Sequence, residues 1–187
     1  MIDRLHLEGK GPGEAAALER VSAMFERSPV ALTLADAYQP DMPLIIANQA
    51  FLTLSGYERD EVVGRNCRFL QGRRDNVAAR LEIRETITEA GQAQVLLHNV
   101  RKNGEPFDNL LFLQALVERD GRARYFIGSQ FELTDAVTAE RIDRHVTHVD
   151  AAVGQVVAAQ HHLRAEQRRM FANAAHAVAL TWLATLK

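Results

Sequence analysis

A single cysteine, Cys67, serves the whole chain of 187 residues. One thiol can form neither an internal disulfide nor a cysteine zinc cage, so its uses reduce to buried filler, redox sensing or nucleophilic chemistry. Excess charge of one sign is also lacking. Twenty-two basic against 24 acidic side chains leave a formal net charge of -2, which gives no electrostatic argument for nucleic acid or an anionic membrane. No stretch approaches the roughly 20 apolar residues of a membrane span, and the amino terminus mixes charges into every turn where a signal peptide would be apolar. The expected setting is cytoplasmic, where a free thiol stays reduced. Of the seven histidines, His145 and His148 lie at i, i+3 and His161 and His162 are adjacent. No carboxylate or cysteine set completes a ligand pattern, so no metal site is expected. A phosphate-cradling glycine loop is missing, and the chain has no room for the ATP domain that a phosphoacceptor histidine would need.

What is present suits a soluble globular protein, at 47% hydrophobic and 25% charged residues, with length for one domain plus extra elements. Residues 14–27 read as a helix with Leu18, Val21 and Phe25 at helical spacing, stopped by Ser28 and Pro29. Residues 30–34 and 44–47 are candidate strands around an exposed loop. Asn48 is a plausible N-cap for a short helix ended by Gly56. Residues 58–63 form a helical turn, and Cys67 falls on a one-turn helix. Asp75 or Asn76 caps a longer helix to about Ala90, with Gly91 in the C′ position. Three strands follow, 92–100, 106–117 and 122–133, joined by Asn103-Gly104 and Asp120-Gly121, dipeptides that supply positive φ for tight hairpins. Five strands with several short helices make an α+β domain over 30–134. Residues 1–29 are a flanking segment with its own helix, and 135–187 a C-terminal helical extension.

In that extension Ile142, Val146, Val149, Val153 and Val156 recur at alternating spacings of four and three, with Leu163 seven residues on, an a/d seam. It suits a coiled coil or helix pair, or a helix folded back on its own sheet. A second helix is possible over 170–186, after a break near His161.

Cys67 sits in the run Gly64-Arg65-Asn66-Cys67-Arg68-Phe69-Leu70-Gln71-Gly72. Asn66 and Gln71 each offer an acceptor and two donors, and Arg68 is a fixed cation whose fork suits phosphate. Together they describe a site for a phosphorylated, hydrogen-bonding cofactor beside a thiol. The last three strands add amides in apolar surroundings, Asn99, Asn109 and Gln130, and strand parity places Asn109 with Leu111 and Leu113, and Phe126 with Gln130. Taken singly, Asn99 could flank a turn, Gln130 could pair with backbone and Arg84 could be a solvated helix residue.

The nine-residue run resembles the signature of the LOV (light, oxygen, voltage) photosensors, a flavin-binding branch of the PAS family, and the likeness extends over 30–134. It implies a five-stranded antiparallel sheet with short helices on one face, enclosing FMN. By that comparison Asn99, Asn109 and Gln130 bind the polar edge of the flavin ring, and Asn66 and Gln71 contact the ribityl and ring region. Arg68 and Arg84 hold the phosphate, and Leu111, Leu113 and Phe126 wall the pocket. Thr33 lies near the flavin where plant members usually carry valine. Ala35 and Met42 replace polar residues, and Leu111 stands where many members have phenylalanine.

The implied activity is blue-light reception. Cys67 sulfur bonds reversibly to ring carbon C4a, N5 gains a proton, and Gln130 answers by rotating its amide as the signal switch. A stand-alone "short" receptor is expected, not an enzyme. Light would act through the terminal helices on a homodimer or on a protein effector, with no nucleic acid or membrane partner. A light-independent, flavin-based redox-sensing PAS module would keep its function without the thiol. A flavin enzyme would need acid and base groups at the pocket, and a pure dimerisation scaffold would be colourless.

Overall fold

Hydrophobic alternation in three long strands organises the backbone, and the short elements pack around them. The structure is a computed structural model and describes residues 10–118 and 120–133. Helix α1 (Pro12–Glu26) leads into β1 (Ala31–Asp36) and β2 (Leu44–Ala47). Short helices α2 (Gln49–Ser55) and α3 (Arg59–Val62) precede a 3-10 turn at Cys67–Gln71, then α4 (Val77–Glu89), β3 (Gln92–Val100), β4 (Pro106–Val117) and β5 (Ala123–Leu133). The strands form one antiparallel sheet in the order β2-β1-β5-β4-β3. The first two strands and the last three therefore meet where β1 pairs with β5. The C-terminal extension and its seam, and hence that half of the proposed dimer contact, lie outside the described residues. Among those residues no helix is long and apolar enough to cross a membrane.

Side chains on the two sheet faces go to different cores. Leu32, Leu34, Ile127 and Phe131 pack with Leu18, Val21 and Phe25 of α1. Burying each of these large apolar side chains contributes about 1.5–3 kcal/mol, enough to hold the helix against the sheet. On the other face Ala31 and Ala47 pack with Phe51, Leu52, Val62 and Leu70 from the short helices. The N-terminal helix, read from sequence as an interface element, thus spends its apolar stripe on its own sheet.

Asn48 does more than cap α2. It is fully buried, and its Oδ1 accepts from the amides of Phe51 at 3.0 Å and Leu32 at 2.9 Å. Its Nδ2 donates to the carbonyls of Phe25 at 2.8 Å and Val30 at 2.7 Å. One side chain therefore joins the end of α1, the entry to β1 and the first turn of α2. Asn48→Ala would strand buried backbone groups in all three, and is expected to cost about 3 kcal/mol in chemical denaturation of the full chain.

Three local expectations need correction. The left-handed residue after α4 is Ala90, at φ 52°, not Gly91. Its amide turns back to the carbonyls of Thr86 and Ile87, so the helix closes one residue early and accepts the strain of a Cβ there. Asn76 occupies the N-cap position of α4 without capping it. Its side chain bonds both the amide (2.7 Å) and the carbonyl (3.0 Å) of His98 on edge strand β3, while Asp75 Oδ1 accepts from Val77 N. In the β3–β4 hairpin only Gly104 takes positive φ, and Asn103 instead accepts the Glu105 amide through its side chain.

Beyond the apolar stripe, α1 is held by ions. Asp36 is buried, with Lys10 Nζ at 2.7 Å and Arg124 Nη1 at 2.5 Å. Arg124 Nη2 reaches Glu14 at 2.7 Å, and Tyr125 donates its hydroxyl to the same carboxylate. Burial pushes the Asp36 carboxyl up, but the Lys10 hydrogen bond, the Tyr38 amide and the Arg124 charge outweigh it and leave the pKa lowered. For Glu14 burial is likewise outweighed, by Tyr125 and Arg124. Carboxylates whose folded pKa is depressed contribute stability above their unfolded values, and it is lost as pH falls through the folded ones. The melting temperature is therefore expected to fall below about pH 4. Asp36→Asn should be less stable at neutral pH and lose less on acidification, as differential scanning calorimetry across pH 3–7 would read.

Candidate functional site

Between the sheet and the short helices lies a cavity of about 610 Å³, within the range of roughly 300–1,000 Å³ usual for small-molecule and cofactor sites. Register builds its floor. Thr33 pairs with Gly128, Leu111 with Gln130, Leu113 with Gly128 and Leu97 with Asn109, so these side chains share one face. Phe126 and Asn99 continue that face along β5 and β3, and all of them line the cavity.

The opposite wall is the cysteine segment and α4. Cys67, Asn66, Arg68 and Gln71 line the cavity from the 3-10 turn, and Arg84 from α4. Every site residue expected from the sequence thus lines this cavity. Sequence reasoning missed Arg80, Ile83, Ile87 and Thr88, which share the inward face of α4 with Arg84. The helical spacing from Arg84 back to Arg80 was the available signal.

Three carbonyl oxygens distinguish the floor from an ordinary core. Among the described residues, four buried side-chain polar atoms have no hydrogen-bond partner: Asn99 Oδ1, Asn109 Oδ1, Gln130 Oε1 and Ser22 Oγ. The first three belong to residues lining the cavity. A buried acceptor left unpaired costs about 1–3 kcal/mol, so three on one surface mark a place built for a ligand with several polar atoms along one edge. The pyrimidine edge of an isoalloxazine, with its N3–H donor and carbonyl acceptors, has that character, and Leu111, Leu113 and Phe126 supply apolar contact for its faces. The residues present fit a flavin.

Asn66 and Arg68 are already engaged. Asn66 Nδ2 donates to the Asp41 carbonyl at 2.5 Å, and its Oδ1 accepts from the Arg68 amide at 3.0 Å. Arg68 Nη1 lies 2.5 Å from Asp41 Oδ1, with both side chains largely exposed. The loop carrying Asp41 and Met42, both at positive φ, is thereby tied to the cysteine turn. Arg68, Arg80 and Arg84 together give the cavity three cationic side chains suited to a phosphate.

Cys67 is half-buried among apolar neighbours, and burial pushes its thiol up to about 12. At neutral pH it is a protonated thiol rather than a thiolate, and so a poor nucleophile.

A family model described as PAS domain matches residues 29–135. Blue-light-activated histidine kinase 1 of Erythrobacter litoralis is 42% identical over 116 residues, covering 62% of this chain and 32% of that protein. Phototropin-1A of Oryza sativa is 38% identical over 128 residues, 68% of this chain and 13% of that one. The chain thus spans only about a third of the length of the first of these relatives. The solved LOV protein of Rhodobacter sphaeroides superposes with a TM-score of 0.71 at 38% identity, over 79% of this chain and 90% of that one. The LOV domain of the Erythrobacter litoralis kinase EL346 gives 0.55 at 41% identity, over 58% and 100%.

Proposed function

Since this chain belongs to the PAS-domain family, and within it to the LOV photosensors, we propose that it is a blue-light receptor that binds FMN and signals through a reversible bond at the Cys67 sulfur. The observation that carries this reading is the placement of three unpartnered carbonyl oxygens in a cavity shared with a half-buried, protonated thiol. Bound in the cavity, FMN would supply a ring that blue light makes reactive toward a thiol, and Cys67 would be the group that meets it.

The chain's own residues do the rest. Asn99 and Asn109 orient the polar edge of the ring, Leu111, Leu113 and Phe126 exclude water from its faces, and Arg68, Arg80 and Arg84 neutralise the phosphate. Cys67 is kept protonated by burial, so it delivers sulfur and hydrogen together. Gln130 would answer a change of donor and acceptor on the bound ring, because an amide can exchange its oxygen for its nitrogen by rotating. It lies three residues before Leu133, where β5 ends, so its reorientation is well placed to reach the segment that follows. In this reading the protein is a cytoplasmic sensor rather than an enzyme, and its output is a change in homodimerisation or in binding of a protein effector.

The first test is the absorption spectrum of the full chain purified with FMN, in the dark and after blue light. A structured band near the flavin position that bleaches and returns in darkness supports the assignment. A protein that takes up no flavin overturns it. A light-independent redox module would bind flavin and show no thermally reversible bleach.

A further inference from the structure

Gln130 does not stand alone in the cavity floor. Its Nε2 donates to Thr33 Oγ1 at 3.1 Å, and Thr33 Oγ1 donates to the Gly128 carbonyl at 3.3 Å, with both bonds buried. Backbone register brings the three together. Thr33 pairs with Gly128 and Ala31 with Gln130, which makes Thr33 and Gln130 diagonal neighbours on one face of β1 and β5. Gly128 is what lets them meet, because a Cβ there would stand 2.7 Å from Thr33 Oγ1 and 2.8 Å from Gln130 Nε2.

A hydroxyl has one proton. While Thr33 gives it to Gly128, its oxygen can only accept from Gln130, which turns the amide nitrogen toward the strand and leaves Oε1, the unpartnered atom, for the cavity. In the opposite orientation Oε1 would face Thr33, and the hydroxyl would have to swing its proton away from Gly128 to meet it. That arrangement has one hydrogen bond fewer. We propose that Thr33 is a positioning residue for Gln130: its hydroxyl selects the amide orientation that presents an acceptor to the cavity, and follows the amide when it turns.

This inference rests on the photoreceptor reading and assigns a direction within it. An acceptor facing the ring suits N5 after it has gained a proton, so Thr33 favours the lit state over the dark one. Removing the hydroxyl should speed dark recovery by about three- to tenfold, the worth of one neutral hydrogen bond.

The test compares wild type, Thr33→Val, which keeps the shape and loses the hydroxyl, and Thr33→Ser, which restores it. Two readouts are needed on the full chain as purified. In the dark, the Gln130 side-chain amide resonances, seen after selective glutamine labelling, should shift in Thr33→Val and return toward wild type in Thr33→Ser. After blue light, recovery should quicken in Thr33→Val and slow again in Thr33→Ser. Unchanged amide resonances in Thr33→Val would overturn the proposal, as would a recovery rate that Thr33→Ser fails to restore. If wild type shows no bleach at all, the photoreceptor reading has failed, and the amide resonances still decide whether Thr33 holds Gln130.

Discussion

Cys67→Ala is expected to bind FMN as wild type does and to lose the whole of the reversible bleach. The thiol side chain is not among the groups suited to the ring's polar edge or the phosphate, so affinity should change by less than about threefold. Photochemistry should respond without intermediate values, because no second cysteine exists in the chain to take its place. The state of the thiol adds a pH signature. With its pKa pushed up to about 12 by burial, Cys67 stays protonated from pH 6 to pH 9, and the amplitude of the bleach should be flat across that range. A thiol at its ordinary value near 8.5 would ionise within it and give a steep rise or fall. Absorption spectra before and after a blue-light pulse, recorded at several pH values for wild type and variant, read both effects. A bleach surviving in Cys67→Ala would overturn the covalent assignment, because the light reaction would then not need the thiol.

What the sequence made legible follows from which interactions are local. Strand alternation, the apolar stripe of α1 and the glycines in the hairpins act over a few residues, and those elements appear where their patterns put them. The cysteine turn is also local, because Asn66 caps it through the Arg68 amide. Errors arose where a distant partner outbid a neighbour. Of the two capping candidates, Asp75 takes the Val77 amide, while the amide and carbonyl of His98 on an edge strand were the stronger claim on the Asn76 side chain. Asn48 was read as a cap and is one, yet most of its bonds go to α1 and β1, which periodicity cannot connect. Amphipathicity showed that α1 has an apolar face without showing which sheet face receives it.

The residues that line the cavity were legible, and their pairing was hidden. Parity placed Asn109 with Leu111 and Leu113, and the likeness to LOV domains supplied the remaining strand and helix positions, all of which line the cavity. Parity cannot give register between β1 and β5, which lie far apart in the chain, so the contact between Thr33 and Gln130 was invisible. The tie between Asp41 and the cysteine turn was hidden for a similar reason: it depends on two residues, Asp41 and Met42, in a left-handed conformation that neither residue type advertises strongly.

Replacing both Asn99 and Asn109 with leucine is expected to lower FMN affinity by roughly 10²–10⁴-fold, since each amide removed forfeits about 1–3 kcal/mol and leaves polar atoms of the ring edge buried without partners. The same substitutions should spare the fold. Asn99 Oδ1 and Asn109 Oδ1 have no partner among the described residues, so losing them breaks no bond seen there at those atoms, and leucine keeps the branched shape in a cavity with room for it. The midpoint of chemical denaturation without flavin should therefore stay within the equivalent of about 1 kcal/mol, or rise. These opposite outcomes separate two explanations of a buried asparagine. A structural amide holds the chain together whether or not a ligand is present, and its loss would lower stability in the absence of flavin. A ligand-binding amide instead stores an unmet hydrogen-bonding capacity that only the ligand satisfies, and its loss appears in the binding titration alone. A fall in flavin-free stability with binding intact would transfer Asn99 and Asn109 to the first class and leave the cavity floor without its main argument for a flavin.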